Sequence, residues 1–253
     1  MAASKDNNNI FVFENNDALS TSVAKFVAEK SAEAIKERGK FTVAFSGGSL
    51  PNLVGRFMKE KPLSEEVGWD KWFVFFADER YVDRTHPDSN CLACEKALFS
   101  HVGIPQNQIF AADSSLSLEE CAADYDKKIA DNVPNYEFDL ILLGMGPDGH
   151  TASLFPGHPL LEEKNKMMAS ISDSPKPPPQ RITFTLPLIC SAREIVFVCT
   201  GASKKDALFH VLGKGTDSLP SGLVSPSTFG KTGKVSWFVD QGAMSFEDSS
   251  SCL

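Results

Sequence analysis

The chain reads as an α/β protein, a modified Rossmann-like and mostly parallel sheet with helices on both faces. Three observations predict this. Near-continuous apolar runs at 72–76 and 138–143 have the composition of strands covered on both faces. Helical patterns alternate with such runs along the chain, which is how parallel sheets are built. Glycine-rich turns stand where apolar runs end, at 46–49 and 144–149, as strand-to-helix corners do.

Strands are expected at 10–13, 41–45, 72–76, 138–143, 166–171, 182–185, 194–200 and 235–239. The first helix is expected over 18–38. Leu19, Val23, Phe26, Val27 and Ile35 share one face there, Asp17 stands at the N-cap, and Gly39 stops the helix. A second follows over 50–58, with Pro51 in its first turn. Further helices are expected at 89–101, 117–132 and 203–213. The stretch 174–180, Ser-Pro-Lys-Pro-Pro-Pro-Gln, is too proline-rich for either element and reads as a surface loop. With no linker inside, the expected organisation is a disordered tail (1–9), one domain (10–245) and a flexible tail (246–253).

Composition narrows the function. Of the 253 residues 42% are hydrophobic and 23% charged, as in ordinary globular proteins. A net charge of −8 argues against a nucleic-acid partner. No apolar stretch is long enough to span a membrane, and the polar first nine residues lack a signal-peptide core. The expectation is a cytoplasmic protein. The end Ser251-Cys252-Leu253 is a minor peroxisomal alternative, since it lacks the positive charge of the S-K-L signal. The six cysteines are scattered. The pair Cys91 and Cys94 lacks the second pair a zinc site needs and reads as reduced helical thiols.

In an open α/β sheet the loops at the carboxyl ends of strands carry the site. Gly144, Gly146 and Gly149 match the dinucleotide fingerprint G-x-G-x-x-G. Pro156, Gly157 and Pro159 stop the long helix a pyrophosphate needs, so the match is set aside. What remains is Asp148 two residues before His150, a carboxylate able to fix the tautomer of a proton-transferring imidazole. A hydrogen-bonded turn histidine is the plainer reading.

Gly47, Gly48 and Ser49 form either an oxyanion cradle at a helix start or an ordinary tight turn. Asp78-Glu79-Arg80 is either a solvated loop or a pair of ligand contacts, Asp78 to a polar group and Arg80 to an anion. Asp88-Ser89-Asn90 reads first as an N-cap. Arg181, Lys204 and Lys205 are further candidate anion contacts. An acidic protein that binds an anion must concentrate its cations in one place.

These segments resemble the 6-phosphogluconolactonases of the glucosamine/galactosamine-6-phosphate isomerase family. The matching pieces are Phe45-Ser-Gly-Gly-Ser49, Phe76-Ala-Asp-Glu-Arg-Tyr-Val82 with Asp88-Ser-Asn90, the run from Gly144 to Pro156, Arg181-Ile-Thr-Phe-Thr185 with Thr200-Gly-Ala-Ser-Lys204, and Leu219-Pro220. The resemblance implies hydrolysis of 6-phospho-D-glucono-1,5-lactone in the oxidative pentose phosphate pathway, without metal or organic cofactor. It implies His150 as general base, Asp148 orienting it, and Asp78 holding a sugar hydroxyl or the water. Arg181 and Lys204 would take the phosphate, helped by Gly47, Gly48 and Ser49, with Arg80 lining the site. The expected partner is the small sugar-phosphate lactone, and the expected state a monomer or weak homodimer.

Glucosamine-6-phosphate deaminase is the first rival. Its turn continues differently from Ser153-Leu154-Phe155-Pro156, and it has Asp-Glu-Tyr in place of Asp-Glu-Arg. A non-catalytic sugar-phosphate sensor is the second.

Overall fold

The structure, a computed structural model, describes residues 9–214 and 219–244. The Ser-Cys-Leu end, nearly all of the expected N-terminal tail and the whole of 246–253 lie outside the described residues. In chain order the strands are β1 (Asn9–Phe13), β2 (Phe41–Phe45), β3 (Trp72–Phe76), β4 (Asp78–Arg80), β5 (Leu140–Leu143), β6 (Met168–Ile171), β7 (Arg181–Phe184), β8 (Glu194–Cys199) and β9 (Lys234–Asp240). The helices are α1 (Asn16–Arg38), α2 (Leu50–Met58), α3 (Leu63–Glu66), α4 (Asn90–Ala97), α5 (Leu118–Asn132), α6 (Leu186–Cys190), α7 (Lys205–Leu208) and α8 (Gln241–Met244).

Six strands form one parallel sheet in the order β1-β9-β8-β5-β2-β3. Period-two alternation divides its side chains between two cores. Leu140 and Leu142 of β5 join Leu19, Val23 and Val27 of α1 on one face, while Ile141 and Leu143 join Tyr125 and Ile129 of α5 on the other. Burial on both faces explains the unbroken apolar strands.

From β2 the chain turns one way to β3, and from β5 the other way to β8 and β9. The crevice between β2 and β5 is therefore the topological switch point, where open α/β sheets bind ligands.

Local signals explain the helix ends. Gly39 closes α1 in the left-handed conformation (φ 74°) and donates its N–H to Ile35. The N-cap is Asn15 rather than Asp17: its side chain accepts from the backbone N–H groups of Asp17 and Ala18. Asp17 sits two residues on, in the first turn, and pairs with Arg56 instead. The helix expected over 89–101 is α4 plus a 3₁₀ turn at Phe99–His101. The one expected over 203–213 is broken into a 3₁₀ turn, α7 and a π-helical turn.

The main departure from expectation is a second sheet. β4, β7 and β6 form a three-stranded antiparallel unit packed against α5. Asp78-Glu79-Arg80, expected as a loop, is its edge strand. The chain leaves the main sheet at Ala77, whose N–H still donates to the Phe45 carbonyl, and Asp78 then pairs with Thr183. Three charged residues carry no apolar period, so this strand is invisible in sequence and exists only because β7 offers it a partner.

Candidate active site

A cavity of about 300 Å³ opens at the switch point, lined by the ends of β2, β5 and β8 and by the second sheet. Gly47, Gly48, Ser49, Asp78, Arg80, His150, Arg181 and Lys204 all line it. Asp148 joins them through His150. Lys205 is not among the lining residues.

The turn after β5 holds the imidazole. Gly146 N–H donates to the His150 carbonyl and Gly149 N–H to the Gly146 carbonyl, folding the turn back on itself. No helix opens at Gly149, and a Thr151–Leu154 bridge follows it, in keeping with a turn that presents side chains instead of a pyrophosphate. A Cβ on Gly146 would lie 1.9 Å from His150 Nδ1 and 2.4 Å from Asp148 Oδ1. Glycine at 146 is what leaves room for the pair. Gly149 has φ of 78° and sits against Leu219, whose Cβ a side chain at 149 would meet at 2.9 Å. The Leu219-Pro220 segment thus braces the turn, and Ser221 N–H donates to the Gly149 carbonyl.

His150 Nδ1 lies 2.5 Å from Asp148 Oδ1 and 3.0 Å from Lys176 Nζ. A ring nitrogen that donates to a carboxylate cannot also accept from an ammonium. The shorter contact fixes the tautomer, with Nδ1–H donating to Asp148 and Nε2 left as the base. Burial favours the neutral ring and outweighs the hydrogen bond and charge of Asp148, so the His150 pKa lies below the ordinary imidazole value. Burial opposes ionisation of Asp148 too, but His150 and Lys176 overcome it and hold its pKa down to about 2. The His150 ring stacks on Phe155, centroids 4.9 Å apart.

Register in the second sheet supplies the polar wall. Asp78 stands opposite Thr183 and Arg80 opposite Arg181. Alternation turns these four to one face, while Ile182 and Phe184 enter the core under α5. Ser153 of the turn ties to this face. Its hydroxyl donates to Asp78 (2.8 Å), and its N–H donates to the Thr183 hydroxyl. Two arginines directly opposite one another repel. Burial lowers the Arg181 pKa, Asp78 supports its charge, and Arg80 acts against it.

Glu79 points away, and its buried carboxylate accepts the N–H groups of Asn90 and Cys91 at the start of α4. Burial raises its pKa although those bonds favour its charge. Through that cap Glu79 places Asn90, which is 1% exposed. Its amide donates to the Asp78 carbonyl at 2.8 Å.

Among the polar lining residues, Asn90 and Lys176 are not site candidates from sequence. Asn90 reads in sequence as part of an N-cap, a role Ser89 fills. The buried Asn90 Oδ1 and Ser46 Oγ have no partner among the described residues. Lys176 was hidden in the proline loop, where its neighbour Arg181 was the only available signal. Gly47 abuts Asn90: a Cβ there would lie 1.9 Å from Oδ1.

The cavity gathers Arg80, Lys176, Arg181 and Lys204 in a chain of net charge −8. Lys204 closes the 3₁₀ turn Ala202–Lys204 after β8, and no carboxylate pairs with it among the described residues. Burial, with Lys176 nearby, lowers its pKa. Such an arrangement suits an anion at one end and proton transfer at the other.

Residues 14–237 match the family model described as glucosamine-6-phosphate isomerases/6-phosphogluconolactonase. The chain belongs to this family. It is 43% identical to a protein of Oryza sativa subsp. indica named probable 6-phosphogluconolactonase 3, chloroplastic, over 95% of this chain and 76% of the relative. A crystal structure of 6-phosphogluconolactonase from Thermotoga maritima superposes with a TM-score of 0.79 at 28% identity, covering 92% of this chain and all (100%) of that one. A monomeric glucosamine-6-phosphate deaminase superposes with a TM-score of 0.78 at 18% identity, over 94% of this chain and 100% of that one, a likeness of fold. Within the family fold, the mostly parallel sheet and flanking helices are as expected from sequence.

Proposed function

We propose that the protein hydrolyses 6-phospho-D-glucono-1,5-lactone to 6-phosphogluconate, with His150 as general base. The observation that carries this reading is a half-buried, neutral-biased imidazole bonded through Nδ1 to an Asp148 held ionised, beside a cavity of cations. The names of the relatives support the same substrate class. A lactone is an activated ester, so it opens with base assistance and needs neither metal nor organic cofactor.

In the proposed sequence, Nε2 of His150 takes a proton from a water as its oxygen bonds to C1. Backbone N–H groups of the glycine loops meet the resulting oxyanion. Collapse breaks the bond from C1 to the ring oxygen, and the imidazolium returns its proton to that oxygen as it leaves. The product acid then ionises in solution. Asp78, whose carboxylate keeps acceptor capacity beyond its bond from Ser153, holds a sugar hydroxyl or the water.

Lys204 and the Gly47-Gly48-Ser49 cradle hold the phosphate, with Arg80 along the wall. Arg181 contributes through the second N–H of Nη1, because the first donates to Ser153 Oγ at 3.4 Å and Nε and Nη2 donate to the carbonyls of Pro178, Lys176 and Pro177. One chain supplies every group, so a monomer or weak homodimer suffices. Cytoplasmic residence belongs to the same proposal.

The test is a lactone-hydrolysis assay coupled to glucose-6-phosphate dehydrogenase, with spontaneous opening subtracted. Turnover above that background is expected. Ammonia release from glucosamine 6-phosphate in its place would decide for the deaminase, and tight binding without turnover for a sensor.

A further inference from the structure

The loop at 174–180 is built to deliver one ammonium group. Pro175, Pro177, Pro178 and Pro179 fix φ around Lys176, so little backbone freedom remains to be lost there. The Ser174 hydroxyl donates to the Lys176 carbonyl and accepts from the Lys176 N–H. Arg181, 3% exposed, donates to three carbonyls of the loop: those of Lys176, Pro177 and Pro178. Lys176 Nζ ends 3.2 Å from both oxygens of Asp148 and 3.0 Å from His150 Nδ1. Beneath it the Phe155 ring is shared: His150 stacks on it, and Lys176 Nζ and Arg181 Cζ lie 6.0 and 5.7 Å from its centroid.

We propose that Lys176 is a positioning residue for the Asp148–His150 pair: its ammonium pins the carboxylate and disfavours a proton on the imidazole until water attacks. This rests on the lactonase reading of the site. The charged groups facing His150 are Asp148 on its own turn, Lys176 on the proline loop and Asp78 on β4, with Lys204 close to both Lys176 and Asp148. Asp148 and Asp78 favour the imidazolium, and Lys176 opposes it. The cation therefore keeps the base free before attack and makes the imidazolium a better proton donor to the leaving ring oxygen afterwards. Since the Lys176 side chain is 38% exposed, solvent weakens the coupling without removing it.

The experiment compares wild type with Lys176→Met and Lys176→Arg. Turnover is followed by titrating released acid across pH, and the His150 ring is titrated by NMR, with His150→Gln used to assign its signals. Lys176→Met is expected to lower kcat at neutral pH about tenfold, part of the roughly 10²- to 10⁴-fold a general base supplies. It also moves the acid limb of kcat/KM and the NMR midpoint of His150 to higher pH. Lys176→Arg restores both toward wild type.

A His150 midpoint unmoved in Lys176→Met would overturn the proposal, and a raised KM with an unmoved limb would make Lys176 a phosphate contact instead. The NMR titration decides this without turnover. Wild type that fails to outpace spontaneous hydrolysis would sink the lactonase reading separately.

Discussion

His150 illustrates how a residue becomes a base by environment. Its ring must be unprotonated to act, and burial lowers its pKa below about 6.5. The base form therefore persists through neutrality and is lost as pH falls through the lowered value. The expected kcat/KM profile is flat near pH 7 with its acid limb below 6.5, and a limb at or above 6.5 would contradict the assignment. His150→Ala should cut kcat by roughly 10²- to 10⁴-fold with little change in KM; full retained activity would dismiss the base role. Gly146→Ala tests the same geometry from the backbone side. Its Cβ meets Nδ1 at 1.9 Å, so kcat should fall comparably while circular dichroism stays unchanged, and wild-type turnover would show that the turn can yield.

Among the elements, the β4–β7 pair shapes the site most. Its register places Asp78, Arg80 and Arg181 on one face, and a slip of one residue would turn all three away. Arg181 belongs to this strand and also clamps the proline loop. Arg181→Ala should therefore raise KM by about 10- to 100-fold, the scale of a charged hydrogen bond of roughly 1.5–3 kcal/mol. It should also lower kcat as Lys176 loosens. Steady-state kinetics separate the two, and an unchanged KM would remove Arg181 from phosphate binding. β7 was legible from its apolar pattern. β4 was not, because a strand of three charged residues is defined by its partner. Asn15 displaced Asp17 as N-cap for a similar reason: both residue types cap equally well, and the backbone chose.

Across the whole molecule, the second sheet is held by the core it shares with α5. Phe184 is fully buried and its ring lies 5.4 Å from that of Phe138. Phe184→Ala should cost about 3–5 kcal/mol and lower Tm by on the order of 10 °C, read by calorimetry. A loss under ~1 kcal/mol would show that this sheet is not part of the cooperative core. The sequence by itself determined the parallel α/β architecture, the two glycine turns and the Asp148–His150 pair, because periodicity, helix stops and close spacing are local properties. Only the tertiary structure decided that the strand order switches between β2 and β5, that a charged tripeptide becomes a strand, and that Lys176 reaches His150. Those are pairings between distant segments. Their energy comes from burial and hydrogen bonds that neither segment makes alone.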